Sequence, residues 1–233
     1  MPDLTFYTAP TANGYKISIV LEELAIDYAV KYLRFDQNEQ KTPAFLALNP
    51  NGRIPVIVDH TSNDYVLSES AAILLYLAEQ AGDLFPKTIK SRYEVMQWLM
   101  FQMSAVGPMM GQAMFFQRIA MPKGIVDEYA IERYVKESRR LLSVVNDRLV
   151  GRDYLCGDYS IADIAMFPWA RSYRWGNIDI EDLTQLKSWF MRIEARDAVQ
   201  RGIRVPTGKV PIAFDNESDL TEATRLNARK YDA

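Results

Sequence analysis

Three short stretches of this chain carry residue types that could do chemistry. The first is APTANGYK, Ala9 to Lys16. It follows an alternating apolar run and opens a helical pattern, so its backbone N–H groups sit at a helix start. Free N–H groups and the positive end of a helix dipole favour a thiolate, phosphate or carboxylate. The stretch holds no Cys, Ser, His or acidic residue, so any nucleophile must arrive with a ligand. The plain alternative is an ordinary strand-to-helix turn, with Asn13-Gly14 there for backbone reasons. The second stretch is NPNGRIPVIVD, where Pro55 opens an apolar strand. A cis Ile54–Pro55 bond would turn the Ile54 N–H and C=O outward, toward an extended peptide. The third is LSESAAILLYLAE, with Glu69 and Ser70 where strand gives way to helix. A hydroxyl and free N–H groups can grip a carboxylate, and a neighbouring Glu can hold an ammonium. Together they suit the zwitterionic head of an amino acid; alternatively Ser68 or Ser70 is a simple helix cap.

Composition excludes other chemistries. The chain has 233 residues, 48% apolar and 24% charged, with a net charge of −3. That allows one large or two small packed domains. Without a Lys/Arg cluster, nucleic acid and anionic membrane are not expected as partners. No apolar run approaches the roughly 18 residues of a membrane span, and MPDLTFYTAP lacks the layout of a secretory leader. Cys156 is the single cysteine and His60 the single histidine. Neither an internal disulfide nor a metal site of clustered Cys and His can form. We therefore expect no metal, a reducing compartment and a cytoplasmic location. Cys156 reads as a small buried hydrophobe.

The elements that must position these stretches follow from periodicity. Leu4 to Tyr7 and Tyr28 to Phe35 read as strands. Ile17, Val20, Leu21 and Leu24 form one helical face. DQNEQKTP reads as a polar loop, and Phe45 and Leu48 as a short helix ending before Asn49-Pro50. Ile54–Val58 and Tyr65–Leu67 read as a hairpin, followed by a helix with Ile73, Leu74, Leu77 and Ala81 on one face. The order is β-α-β-α-β-β-α. After GDLFPK (Gly82 to Lys87) the pattern turns helical. Tyr93 to Phe116 reads as one long helix bent near Gly107-Pro108, and Glu128 to Val150 as another. YSIADIAMF carries a capping box, Ser160 with Asp163, and a hydrophobic staple of Tyr159 and Ile164. Asp182 to Arg196 holds a further helix. The expected division is 1–83, 90–205 and a C-terminal extension, 206–233.

NPNGRIPVIVD followed by SESAAILLYL, after β-α-β and before an all-helical half, resembles the glutathione transferases. APTANGYKISIVLEEL, LNPNGRIPVIVDH, GPMMGQAMFF and AIERY narrow the resemblance to the subgroup holding the nu-class disulfide-bond reductases, related fungal transferases and the globular domain of a yeast prion regulator. The resemblance implies an α+β fold, a thioredoxin-like domain followed by an all-α helical domain. It implies that Asn13 lies at the glutathione sulfur. Thr11 falls where other classes keep an activating Ser or a nucleophilic Cys. Ile54 would pair with the cysteinyl backbone, Glu69 and Ser70 would take the γ-glutamyl head, and Gln40 and Arg53 would lie along the glycyl end. Arg133, in AIERY, would reach the cleft from the helical half. Tyr7 lies too far before Gly14 to match the tyrosine of the mammalian classes and reads as sheet packing.

The implied activity is glutathione-dependent disulfide reduction, with conjugation of electrophiles beside it. Glutathione is the cosubstrate and supplies the thiol. Thr11 and Asn13 would help the helix start to hold it as a thiolate. Partners would be glutathione or oxidised glutathione, small electrophiles or disulfides, and a second copy in a homodimer. Seven of the ten methionines lie between Met96 and Met121; most of these read as plain helix core, and an adaptable second-substrate wall is the other reading, with Met110, Met114 and Phe115 as its candidates. A ligandin-like carrier and a regulatory glutathione-binding protein are the alternatives. With the first strand starting near residue 4, the regulator's long Asn/Gln-rich extension is not expected, which favours the enzyme.

Overall fold

The computed structural model describes residues 2–208; of the expected extension only 206–208 fall within that range. Four strands, β1 (Leu4–Thr8), β2 (Tyr28–Tyr32), β3 (Val56–Asp59) and β4 (Tyr65–Ser68), form one sheet in the order β2-β1-β3-β4. β1 runs parallel to β2 and antiparallel to β3, and Phe6 stands opposite Val30 on one side and Ile57 on the other. The parallel pair needs a crossover, which is α1 (Ala12–Glu23). Helix α1 buries Ile17, Ile19, Val20 and Leu21 completely, and α3 (Ser70–Ala81) adds Ile73, Leu74 and Leu77. The strand expected to reach Phe35 stops at Tyr32, and the polar loop folds into two short 3₁₀ turns, Phe35–Gln37 and Glu39–Lys41. Asn38 in the left-handed region joins these turns, which local pattern does not announce. Helix α2 (Pro43–Leu48) starts with Thr42 as its cap. Tyr7 packs on Phe45, ring centroids 5.9 Å apart.

The helical half begins with α4 (Ile89–Phe101) and α5 (Gly107–Phe115). The single bent helix expected there is instead two α segments joined by a π turn, Gln102–Val106, with a second π turn at Phe116–Ala120. The departure starts at Gln102, ahead of Pro108, so the ring enters a turn already widened. Next come α6 (Glu128–Arg148), α7 (Ile161–Arg171), α8 (Thr184–Glu194) and α9 (Asp197–Gly202); the last was not read from the sequence. The capping box forms as expected. Asp163 accepts from Ser160 N at 3.2 Å, and also from Leu155 N at 3.0 Å and Trp189 Nε1 at 2.9 Å. Tyr159 packs on Tyr154 and lies 3.9 Å beneath the Arg196 guanidinium.

Helix α1 joins the two halves. A Cβ on Gly202 would lie 2.7 Å from Ile19 Cα, so only glycine lets α9 approach this closely. Arg196 holds Glu23 through two hydrogen bonds of 2.6 and 2.8 Å, and Arg201 holds Glu22 at 2.6 Å. The C-terminal end of α1 is thereby fixed against the helical half.

Candidate active site

The cleft between the halves has a volume of about 500 Å³. Asn13 and Lys16 of α1 form one wall, facing Gln102 and Met103 of the π turn, one face of α5, and Trp169 of α7. Thr11 caps α1: its Oγ1 accepts from Gly14 N at 3.2 Å. Accepting leaves its O–H proton available to donate. Gly14 is required by space, since a Cβ there would lie 2.4 Å from the Ala9 carbonyl oxygen.

Asn13 is oriented from across the cleft. Its Oδ1 accepts from Trp169 Nε1 at 2.8 Å. An indole N–H can only donate, so this contact fixes which end of the amide is oxygen. The Nδ2 donors are left for a ligand. Trp169 is seated against α5, where Cβ atoms on Gly107 and Gly111 would lie 3.5 and 3.6 Å from its ring. The two glycines of GPMMG, one helical turn apart, make the shelf for that indole.

Beneath Asn13, Lys16 is fully buried. Its Nζ donates to Gln102 Oε1 at 2.5 Å, Ser70 Oγ at 3.3 Å and Met103 Sδ at 3.3 Å. Burial pulls its pKa down to about 7, and the nearby Glu69 carboxylate opposes the shift. The other Gln102 amide atom, Nε2, is buried without a partner among the described residues.

The remaining expected residues gather at the sheet side. The Ile54–Pro55 bond is cis, and neither the N–H nor the C=O of Ile54 is hydrogen-bonded among the described residues. Glu69 is exposed at φ 71, a left-handed value that costs a side-chain-bearing residue on the order of 1–3 kcal/mol. Glu69 occupies the position before α3, and no side chain caps that helix, so the plain-cap reading of Ser68 or Ser70 does not apply. The open N–H groups beside buried Ser70 suit a carboxylate. Gln40 is buried with its Oε1 unpartnered among the described residues, while Arg53 is exposed.

Three expected residues lie elsewhere. Met110 and Met114 face the core at 0% and 7% exposure, and only Phe115 of the expected trio lines the cleft. The cleft face of α5 is Gly107, Pro108, Gly111, Gln112 and Phe115; Met110 and Met114 precede Gly111 and Phe115 by one residue, a rotation of about 100°. Met103 is the methionine that reaches the cleft. Arg133 is exposed on α6 and does not line it. Burial pushes the Cys156 thiol up to about 12, which leaves it a poor nucleophile at neutral pH. Among the described residues no cluster of His, Cys, Asp and Glu could hold a metal ion, and no helix is long and apolar enough to cross a membrane.

Comparison with known proteins places this cleft in context. Residues 2–79 match the family model "Glutathione S-transferase, N-terminal domain", and residues 108–197 match the corresponding C-terminal domain. The disulfide-bond oxidoreductase YfcG of Escherichia coli K12 is 41% identical over 205 residues, spanning 86% of this chain and 94% of that protein. A Pseudomonas fluorescens glutathione transferase family member, solved with two glutathione molecules bound, is 42% identical with a TM-score of 0.83, covering 87% of this chain and 93% of its own. A Pseudomonas putida glutathione transferase, solved with one glutathione disulfide per subunit, is 39% identical with a TM-score of 0.83, covering 88% and 92%.

Proposed function

This chain belongs to the glutathione S-transferase family, and from that premise we propose that it is a glutathione-dependent disulfide reductase and thiol transferase that also conjugates small electrophiles. One observation carries the reading: the Trp169–Asn13 hydrogen bond leaves amide N–H donors at the start of α1, in a cleft lined by no Cys, Tyr or His. The chain offers donors for a thiolate and no thiol of its own there.

Each residue then takes a role. Glutathione lies along the sheet edge, its cysteinyl backbone pairing with Ile54 and its γ-glutamyl head with Glu69 and Ser70. Gln40 and Arg53 flank the glycyl end. The thiol gives its proton to solvent, and Thr11 O–H, Asn13 Nδ2 and the α1 dipole stabilise the thiolate. A free thiol has a pKa of about 8.5, and helix-start sites pull such groups below neutrality. The thiolate attacks one sulfur of a substrate disulfide: a new S–S bond to glutathione forms, the old one breaks, and the departing thiolate takes a proton. A second glutathione thiolate attacks the mixed disulfide at the glutathionyl sulfur, releasing oxidised glutathione and the second reduced thiol. Met103, Phe115 and Trp169 give the second-substrate side an apolar wall, which also admits an electrophilic carbon for conjugation. Homodimerisation and a cytoplasmic location belong to the same reading.

The test is glutathione-dependent reduction of 2-hydroxyethyl disulfide by the wild type beside Asn13→Ala. Loss of a preorganised donor to a developing anion costs on the order of 10²-fold in rate, and a drop of that order is expected. Ligand binding without turnover by the wild type would instead make the protein a carrier or a regulatory glutathione-binding protein.

A further inference from the structure

Lys16 has no place in the thiolate chemistry, yet it is the most deliberately buried cation in the cleft wall. It has no exposed surface, and every partner of its ammonium is neutral: Gln102 Oε1, Ser70 Oγ and Met103 Sδ. Among the described residues no carboxylate forms an ion pair with it. Most charged groups on the packed elements are engaged elsewhere, and Asp197 of α9 acts on Arg201. On α7, Asp163 accepts from Leu155, Ser160 and Trp189, and Arg171 pairs with Glu194. On α9, Arg201 pairs with Glu22 of α1 itself, and the neighbouring Arg196 with Glu23. On α3, Glu79 pairs with Arg92 of α4. Glu69 acts on Lys16 only through space, from an exposed position. The π turn contributes the uncharged Gln102 and Met103. A buried charge without a counter-charge is costly, so a residue kept in this state points to an anion supplied from outside.

The hydrogen bonds indicate where that anion docks. Lys16 Nζ donates to Ser70 Oγ, the first residue of uncapped α3. Among the described residues the Ser70 hydroxyl donates to the Met103 sulfur, at 3.7 Å. That weak contact is readily exchanged for a carboxylate oxygen. Gln102 holds the ammonium in place, and its own Nε2 lies against Gly107, where a Cβ would come within 2.8 Å. The glycine of GPMMG thus makes room for the clamp as well as for Trp169.

We propose that Lys16 is a positioning residue for glutathione binding: held behind Ser70, its ammonium charges the pocket that receives the γ-glutamyl α-carboxylate, and the affinity of the cleft follows the protonation of this one side chain. This rests on the glutathione reading above. Burial pulls the Lys16 pKa down to about 7, so an anion bound beside the ammonium favours its charged form and draws a proton in.

The probe is S-methylglutathione, which has no thiol to titrate, bound to the full chain and followed by isothermal titration calorimetry in buffers of different ionisation enthalpy. Between pH 6 and pH 8 the wild-type Kd is expected to rise about tenfold, with net proton uptake at pH 7.5. Lys16→Met keeps the length and apolar stem. It is expected to bind at least about tenfold more weakly at pH 6, with no proton uptake and no pH dependence. An analogue lacking the γ-glutamyl α-carboxylate is expected to show neither effect in the wild type. A pH-independent Kd without proton uptake in the wild type would overturn the proposal, and that arm needs no variant to fold. Failure of the wild type to bind S-methylglutathione at any pH would instead overturn the glutathione reading itself.

Discussion

At the scale of single residues, the site depends on which way one amide faces. The stretch from Ala9 to Lys16 was legible as a helix start suited to an anion, and Thr11 does cap α1, while the roles of Thr11 and Asn13 came from the family resemblance. Trp169 was not legible: it lies 156 residues from Asn13 and meets it only across the cleft. The misplacement of Met110 and Met114 has a similar origin. Clustered methionines say that a helix is apolar, while its cleft face is set by the two glycines that receive an indole. Trp169→Phe keeps most of the ring and deletes the N–H, so the Asn13 amide is free to turn its oxygen toward the sulfur. We expect kcat for disulfide reduction to fall about tenfold, with a net loss of about 1–1.5 kcal/mol for one hydrogen bond, and the bound thiol to titrate at higher pH. Steady-state kinetics beside a thermal melt separates this from a folding defect, since the melting temperature should move by only a few degrees.

At the scale of elements, glycines decide how closely backbones approach. Gly14 stands inside α1 where a Cβ would overlap the Ala9 carbonyl and the Thr8 hydroxyl, at 2.4 and 2.5 Å. Gly14→Ala must push α1 from β1, and urea denaturation should show a loss of about 1–3 kcal/mol. Gly111→Ala meets Trp169 only at an ordinary 3.6 Å and should be far milder. The capping box of α7 was legible because its two residues sit three apart. The further acceptor role of Asp163, toward Leu155 and Trp189, was not. Asp163→Ala strands these donors in the core and should cost about 3 kcal/mol or more. The π turns and α9 escaped because neither a widened turn nor a six-residue helix leaves a readable period.

At the scale of the whole molecule, the domain order was legible from the change from alternating to helical pattern, but the lock between halves was not. Glu23, Arg196 and Gly202 are surface-like residue types until α9 is laid on α1. The buried titratable groups also shape stability across pH. Burial pulls the Lys16 pKa from its ordinary 10.5 down to about 7 in the fold. The unfolded chain therefore binds more protons between these values, and stability from this group rises from about pH 7 toward pH 10. Burial raises Asp163 from 3.8 to about 6, so its contribution is full below about pH 4 and is lost as pH rises through 6. Denaturation of the ligand-free protein across pH should show the alkaline gain in the wild type and a flatter profile in Lys16→Met. Equal slopes in the two would contradict the assignment.

The most direct measurement is the ultraviolet absorbance of bound glutathione thiolate, titrated against pH in the wild type and in Asn13→Ala. The wild-type bound thiol should titrate below neutrality, well under the free value of about 8.5, and the variant should shift back up by about one unit or more. A bound thiol that titrates at its free value in the wild type would contradict the claim that the start of α1 holds a thiolate.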